Sequence, residues 1–347
     1  MARRSQPPSL TAVDLFAGAG GLSLGLTDAG YDVVGAVELD PLAAETYRLN
    51  HRDTVLWECD IRELGSEEML DTLGLEKGEL DLLASCPPCQ GFSSVRTLNG
   101  SRDVEDARND LIDDVARLVR DLAPRAVMME NVPALKTDVR RDRFTAELTD
   151  LGYDVIDDVL DVRDFGVPQR RPRYVLLAVR VGRARFAPRA RRARNVRDAI
   201  ATLPPAGSSG DPLHDHGERR REDVVHKISL IPPDGGSRTD LPEELQLECH
   251  RNCDGFFDVY GRMSWDDVSP TITGGCVNPS KGRFLHPVEN RSITLREAAV
   301  LQGFPPDYRF SMRRGKYAAA AMVGNALPPP FIERHARAVT RALEAGR

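Results

Sequence analysis

The 347-residue chain predicts an α/β fold, a doubly wound parallel sheet flanked by helices, joined to a smaller, mostly irregular or β domain. Three observations carry this expectation. Short apolar runs alternate with stretches of helical periodicity between Thr11 and Val179. A glycine-rich turn follows the first apolar run, at Phe16-Ala-Gly18-Ala-Gly20-Gly21. The rhythm stops near residues 190–200, beyond which an arginine run gives way to Leu-Pro-Pro-Ala-Gly-Ser-Ser-Gly at 203–210.

Residues 11–16 form a buried-strand pattern, and Leu22, Leu26 and Ala29 continue past the glycines at helical spacing. Residues 31–37 read as a second strand ending at Glu38, and 41–49 as a helix with Pro41 suited to its first turn. Residues 80–84 and 125–129 are further strands, with helical periodicity over 111–122 between them, and 174–179 is one more apolar strand. From 211 to 290 no α/β rhythm persists. Asp, Gly, Pro and Arg dominate there, with short strand-like pieces such as 271–273. Helical pattern returns over 292–301 and over 318–343, the latter interrupted by Gly324-Asn325 and Pro328 to Pro330.

An apolar content of 41% suits a globular protein with one large core or two unequal ones. No apolar run approaches a membrane span, and the first residues lack a signal-peptide core, so the cytoplasm is the expected compartment, without membrane partners. Six unevenly spaced cysteines suit a reducing compartment. The net charge of −6 conceals a strong asymmetry: residues 163–197 hold twelve arginines against one acid, whereas 38–81 hold thirteen acids against four bases. Each arginine alone fits a solvated face; the cluster fits a phosphate-facing surface equally well.

The loudest chemical signal is Ser85-Cys86-Pro87-Pro88-Cys89-Gln90-Gly91-Phe92-Ser93-Ser94, directly after an apolar strand. The two prolines stiffen the chain and hold Cys89 at a loop apex, as a presented nucleophile requires. Cys86 and Cys89 are also a Cys-x-x-Cys pair. No second such pair occurs among Cys59, Cys249, Cys253 and Cys276, and a thioredoxin-like cysteine opens a helix where this run favours a loop, so neither zinc nor redox chemistry is favoured and no metal is expected. Cys249-His250-x-x-Cys253 has no evident partner ligands.

The glycine turn brings backbone N–H groups and a helix N-terminus toward a ligand. Counted from Gly18, the sixth place of a dinucleotide fingerprint is Ser23, an incomplete match. Glu38, at the tip of the second strand, is placed to accept from two ribose hydroxyls. Asp60 could receive an adenine amino group, although either acid also fits a solvated strand end. With no phosphate-binding lysine or arginine clamp, the set points to a nucleoside cofactor. Glu130-Asn131-Val132-Pro133 puts a carboxylate at the end of the strand 125–129, where an acid with raised pKa could donate a proton; an N-cap or a structural ion pair fits it as well in isolation. Gln169-Arg170-Arg171-Pro172-Arg173 adds planar donors suited to an anion or a pyrimidine carbonyl.

These blocks together resemble the DNA (cytosine-5)-methyltransferases of the bacterial modification type. The resemblance rests on Asp14-Leu-Phe-Ala-Gly-Ala-Gly-Gly21, Glu38, Asp60, Pro87-Pro-Cys-Gln-Gly-Phe-Ser93, Glu130-Asn-Val132, Gln169-Arg-Arg-Pro-Arg173, the stretch 291–305 with Leu-Gln-Gly-Phe-Pro, and Gly324-Asn-Ala-Leu-Pro328, in family order and over most of the chain apart from about 198–265. It implies a Rossmann-like S-adenosylmethionine-dependent domain (1–190), a target-recognition domain (191–315) and a C-terminal segment (316–347) that returns to the first. It implies that Cys89 is the nucleophile, that Glu130 engages the cytosine, and that Arg171 and Arg173 hold the base and the catalytic loop. Phe16, Gly18, Gly20, Gly21, Glu38, Leu39, Asp60, Ile61, Pro88 and Asn325 would line the S-adenosylmethionine pocket. Leu39 departs from the aromatic residue often found there. Gln90, Ser93, Thr271, Thr273 and Arg296 would meet double-stranded DNA from which the target cytosine has been flipped. The protein is expected to act as a monomer in restriction–modification or phage defence, with a cognate restriction or defence system, or none, as a further partner.

Three rival readings differ in what they require. A tRNA-modifying branch carries Cys-Phe-Thr, and no cysteine here precedes Phe-Thr. A catalytically silent DNA-binding module would not need Cys89, Glu130 and Arg171. A nucleotide-dependent oxidoreductase leaves the Pro-Cys-Gln run unexplained.

Overall fold

The computed structural model describes residues 9–88, 111–217, 220–246 and 258–346, so Cys89, Gln90, Ser93, Cys249 and Cys253 lie outside the described residues. Backbone contacts divide the chain into two units. The first comprises Met1–Asp161, Pro172–Pro188 and Pro329–Arg347, and the second Val162–Arg171 and Arg189–Pro328.

The first unit is built on seven strands: β1 (Thr11–Leu15), β2 (Asp32–Val37), β3 (Val55–Trp57), β4 (Leu82–Ser85), β5 (Ala126–Asn131), β6 (Asp154–Asp161) and β7 (Pro172–Val179). Their spatial order is β3-β2-β1-β4-β5-β7-β6. The pairs within β1 to β5 are parallel, but β7 is antiparallel to both β5 and β6. The sheet is therefore mixed, which corrects the expectation of a parallel sheet. The reason is chain length. Only Val162–Arg171 separates β6 from β7, too short for a crossover to a parallel neighbour, so the chain turns back and fills the gap between β5 and β6 in reverse.

The described residues form ten α-helices: α1 (Gly21–Asp28), α2 (Pro41–Asn50), α3 (Ser66–Leu73), α4 (Leu111–Leu122), α5 (Val139–Asp150), α6 (Val196–Ile200), α7 (Glu222–Leu230), α8 (Leu295–Leu301), α9 (Gly315–Asn325) and α10 (Pro329–Ala345). Local chemistry starts them where it should. The Asp40 side chain caps α2 by accepting from the Leu42 and Ala43 amides, with Pro41 in the first turn. Thr294 and Glu297 form a capping box on α8. Helix α4 buries Leu111, Ile112, Val115, Leu118, Val119 and Leu122 along one stripe, against a core of Val13, Leu15, Leu83, Val127, Met129 and Leu176 from the sheet. Helix α10 packs on α1 at Gly25, where an added Cβ would lie 2.6 Å from both Ile332 Cβ and the Pro329 carbonyl oxygen. Among the described residues no helix is long and apolar enough to cross a membrane.

The second unit is mostly irregular around helices α6 to α9. Its described residues pair only in isolated bridges, Gln169 with Ser269, Arg262 with Leu285, and Leu285 with Ser292. Residues 271–273 form no strand. They are held instead by side chains: the Ile272 amide donates to Gln169 Oε1 at 2.9 Å and Thr271 Oγ1 to the Arg170 carbonyl at 2.8 Å. Arg262, fully buried, donates to the carbonyls of Ile228, Ile231, His286 and Glu289 and to Asn290 Oδ1. One guanidinium thus stands in for a sheet as the organiser of this segment.

Candidate active site at the switch point of the sheet

Ligands of open α/β sheets sit outside the carboxyl ends of the strands where strand order reverses. Here that point lies between β1 and β4, neighbours whose chain connections leave in opposite directions along the sheet. The glycine turn leaves β1, and Cys86 to Pro88 leave β4, at this point.

Phe16 closes β1 in a left-handed conformation (φ 63°), uncommon for a bulky residue, and Gly18 (φ 56°) and Gly20 (φ 91°) continue the turn. An added Cβ on Gly18 would meet nothing within 4 Å. Beneath the turn, Asp14 is completely buried and its Oδ2 accepts from Ser23 Oγ at 2.6 Å, while Ser23 also meets the Tyr47 hydroxyl at 2.8 Å. Burial raises the Asp14 carboxyl to about 7 against the opposing Ser23 hydrogen bond. Ser23 therefore occupies the sixth fingerprint position as a partner for Asp14. The glycine permitting close helix packing stands two residues later, at Gly25.

Glu38, at the end of β2, accepts from the Gly18 amide through Oε2 and from the Asp40 amide through Oε1, both at 2.7 Å. Burial raises its pKa, with these two amides opposing. The adjacent Leu39 is 61% exposed. Asp60 Oδ1 receives the Arg62 amide and Nε, and this pairing holds Asp60 below the usual carboxylate range. Ile61 is buried in the core beside Val37, Leu64 and Met69.

The ends of β4 and β5 are tied together twice. Cys86 Sγ donates to Glu130 Oε2 at 3.0 Å, and Asn131 Nδ2 donates to the Pro87 carbonyl at 3.1 Å. Glu130 is 3% exposed, and Arg173 Nε on β7 lies 2.8 Å from its Oε1. That contact is off the hydrogen-bond axis, so among the described residues Oε1 lacks an aligned donor. A buried carboxylate with one oxygen held and one available is poised to meet a polar group arriving at the sheet edge. Burial and the Glu130 charge push the Cys86 thiol well above its ordinary range, so Cys86 carries its proton and acts as a donor.

In the second unit, Arg171 is 3% exposed and donates to the carbonyls of Ile272 and Gly324, each at 2.9 Å. Gln169 donates to Gln302 Oε1 at 2.6 Å, and Gln302 in turn donates to the Ala326 carbonyl. Arg171, Ile272 between Thr271 and Thr273, and the Gly324 to Ala326 stretch holding Asn325 are thus brought together. Gly324 is required there, since a Cβ would lie 2.2 Å from the Thr273 carbonyl carbon. Arg296, expected at the DNA, has a buried guanidinium, with Nε on Asp211 Oδ2 at 2.5 Å and Nη1 on the Tyr308 carbonyl at 2.8 Å. Sequence reasoning missed Asp14, Cys86 and Asn131 as site-supporting groups; their only signal is a polar residue inside or directly after an apolar strand.

Strand order, glycine turn and strand-end acids define a Rossmann-like methyltransferase domain. The chain belongs to the C-5 cytosine-specific DNA methylase family, whose match spans residues 10–341, and is a DNA cytosine-5 methyltransferase. It is 36% identical to the type II methylase M.HgiDII of Herpetosiphon aurantiacus, over 96% of this chain and 95% of that one. It is 34% identical to the type II methyltransferase M1.HphI of Haemophilus parahaemolyticus, over 96% and 87% of the two chains. Among solved structures it is similar to a prophage-encoded E. coli protein assigned as a DNA modification methyltransferase (TM-score 0.71, 26% identity, 97% of this chain and all of the other). The S. pombe Dnmt2 methyltransferase shares the fold (TM-score 0.60, 20% identity, 97% and 98% coverage).

Proposed function

We propose that this enzyme transfers a methyl group from S-adenosylmethionine to C5 of a cytosine flipped out of a short, specific double-stranded DNA sequence, through a covalent bond from Cys89 to C6. The observation that carries the reading is the Glu130 carboxylate, buried at the end of β5, held by Cys86 through one oxygen and, among the described residues, without an aligned donor on the other.

Cytosine C5 is a weak nucleophile. Addition of the Cys89 thiolate to C6, with a proton passed from the Glu130 carboxyl to N3, converts the ring into an enamine nucleophilic at C5. S-adenosylmethionine supplies an electrophilic sulfonium methyl. Loss of the C5 proton to a base, β-elimination of the thiolate and return of the N3 proton to Glu130 then leave 5-methylcytosine and both side chains in their starting states. Asn131 holds the Pro87 carbonyl two residues before Cys89, and Arg173 on β7 pairs with the Glu130 carboxylate at 2.8 Å.

The residues fit the cofactor. The turn through Phe16, Gly18, Gly20 and Gly21 leaves room above Gly18, Glu38 offers its remaining lone pairs to ribose hydroxyls, and an exposed Leu39 gives adenine an apolar face. Asp60 and Ile61 would border the adenine, with Arg62 yielding Asp60 to the amino group; Pro88 and Asn325 complete the set by resemblance. Arginines at positions 183, 189, 192 and 221, all with largely exposed side chains, would meet phosphates, while Gln90, Ser93, Thr271 and Thr273 would lie against the distorted duplex. The names of the type II relatives favour a role in restriction–modification, in the cytoplasm of a bacterial cell.

Expression in a host lacking cytosine methylation tests this. Bisulfite sequencing should find 5-methylcytosine at one short motif, absent with Cys89→Ser. Unmodified DNA alongside folded wild-type protein would overturn the reading.

A further inference from the structure

The Cys86 thiol faces the Glu130 carboxylate, yet it is neither the nucleophile nor a group the reaction as written requires. We infer that Cys86 is a positioning residue, whose S–H donates to Glu130 Oε2 and orients the carboxylate so that Oε1 faces the cytosine.

Three features of the site converge on this. The Cys86 amide continues the sheet by donating to the Leu15 carbonyl at 3.2 Å, which fixes the direction of its side chain. The Sγ to Oε2 distance is 3.0 Å, and among the described residues no other hydrogen bond to Oε2 is found, while Arg173 Nε stands against Oε1. A thiol kept protonated by burial is a donor throughout the neutral range. A carboxylate rotates readily about its last torsion. Arg173 alone, off the hydrogen-bond axis, does not define that rotation. The thiol supplies the second point that does.

The inference rests on the role proposed for Glu130, and four variants separate the two. Cys86→Ser keeps the donor, Cys86→Val removes it at similar bulk, Glu130→Ala removes the acceptor, and the fourth combines Cys86→Val with Glu130→Ala. Steady-state methylation of the native motif should give Cys86→Ser within about threefold of wild type and Cys86→Val lowered about tenfold in kcat, as expected for the loss of one hydrogen bond, with KM for DNA and for S-adenosylmethionine unchanged. In the Glu130→Ala background, Cys86→Val should have no further effect, because the thiol acts only through the carboxylate. A packing role would instead lower the melting temperature of Cys86→Val and leave kcat of the folded fraction intact. Equal kcat for Ser and Val variants, or additive losses in the double variant, would overturn the inference while leaving the proposed reaction standing. Full activity of Glu130→Ala alone would instead overturn the role of Glu130 itself.

Discussion

Asn131 reaches across from the end of β5 to the Pro87 carbonyl, 3.1 Å from Nδ2, while its own Oδ1 receives the Val132 amide at 2.7 Å. One buried side chain therefore locks the exit of β5 and the segment that leads into Cys89. Both partners are backbone groups that burial would leave unsatisfied without it.

Asn131→Ala is expected to lose about 1–3 kcal/mol of unfolding free energy, the cost of orphaning buried polar groups. Its kcat should fall by more than its KM rises, since the loop start is misplaced while cofactor-side groups stay intact. Urea unfolding and steady-state kinetics on the same preparation check both.

At Gly25, two effects of opposite sign meet. Alanine improves helix propensity by about 0.5–1 kcal/mol, but its Cβ would stand 2.6 Å from a backbone oxygen and from Ile332 Cβ, and overpacking of that kind costs about 1–3 kcal/mol. The clash wins. Gly25→Ala should lower the urea midpoint, and Gly25→Val should lower it further.

Asp14 gives the fold a pH signature. Its carboxyl is raised from 3.8 to about 7 in the folded state, so the folded protein keeps a proton that the unfolded chain releases. The stabilisation is complete below about pH 4 and is lost as pH rises toward 7, by up to about 4 kcal/mol. The groups acting on it are the Ser23 hydroxyl, which opposes the shift, and the Glu38 charge, which adds to it. Asp14→Asn has no such proton to lose, so its stability relative to wild type should rise between pH 4.5 and 7.5. His51 and His335, pushed down to about 4 by burial, act in the opposite sense in both proteins and cancel from the difference. Parallel unfolding free energies across that range would contradict the assignment.

Much of the site was legible because its signals are local. Glycines after an apolar strand, a proline-stiffened thiol and an acid at a strand end are each written in a few consecutive residues. The elements without such signals are the ones periodicity did not reveal. Strand β6 is Asp-Val-Ile-Asp-Asp-Val-Leu-Asp at the sheet edge, half-exposed along its length, and β3 has three residues. Helix α5 buries only Phe144 and Leu148. The reversed direction of β7 leaves no mark in an apolar run. The partnerships of Cys86 with Glu130 and of Arg296 with Asp211 join residues 44 and 85 positions apart, and no local pattern specifies them.

Arg171 separates a structural from a substrate-facing role. Its guanidinium spans the carbonyls of Ile272 and Gly324, a fork that a lysine ammonium does not reproduce. Arg171→Lys should therefore unfold at lower urea, by about 1.5–3 kcal/mol for a lost charged hydrogen bond, together with reduced activity. Unchanged stability with activity lost would assign Arg171 to the base instead.

The proposed reaction stands or falls on the covalent bond between Cys89 and the target ring. A duplex bearing 5-fluorocytosine at the enzyme's own motif, supplied with S-adenosylmethionine, should trap the protein, because fluorine at C5 cannot leave as a proton does. Mass spectrometry of the digested adduct should place the nucleotide on Cys89, with no adduct from Cys89→Ser. Methyl transfer to ordinary cytosine without any trapped adduct, or an adduct on Cys86, would contradict the account.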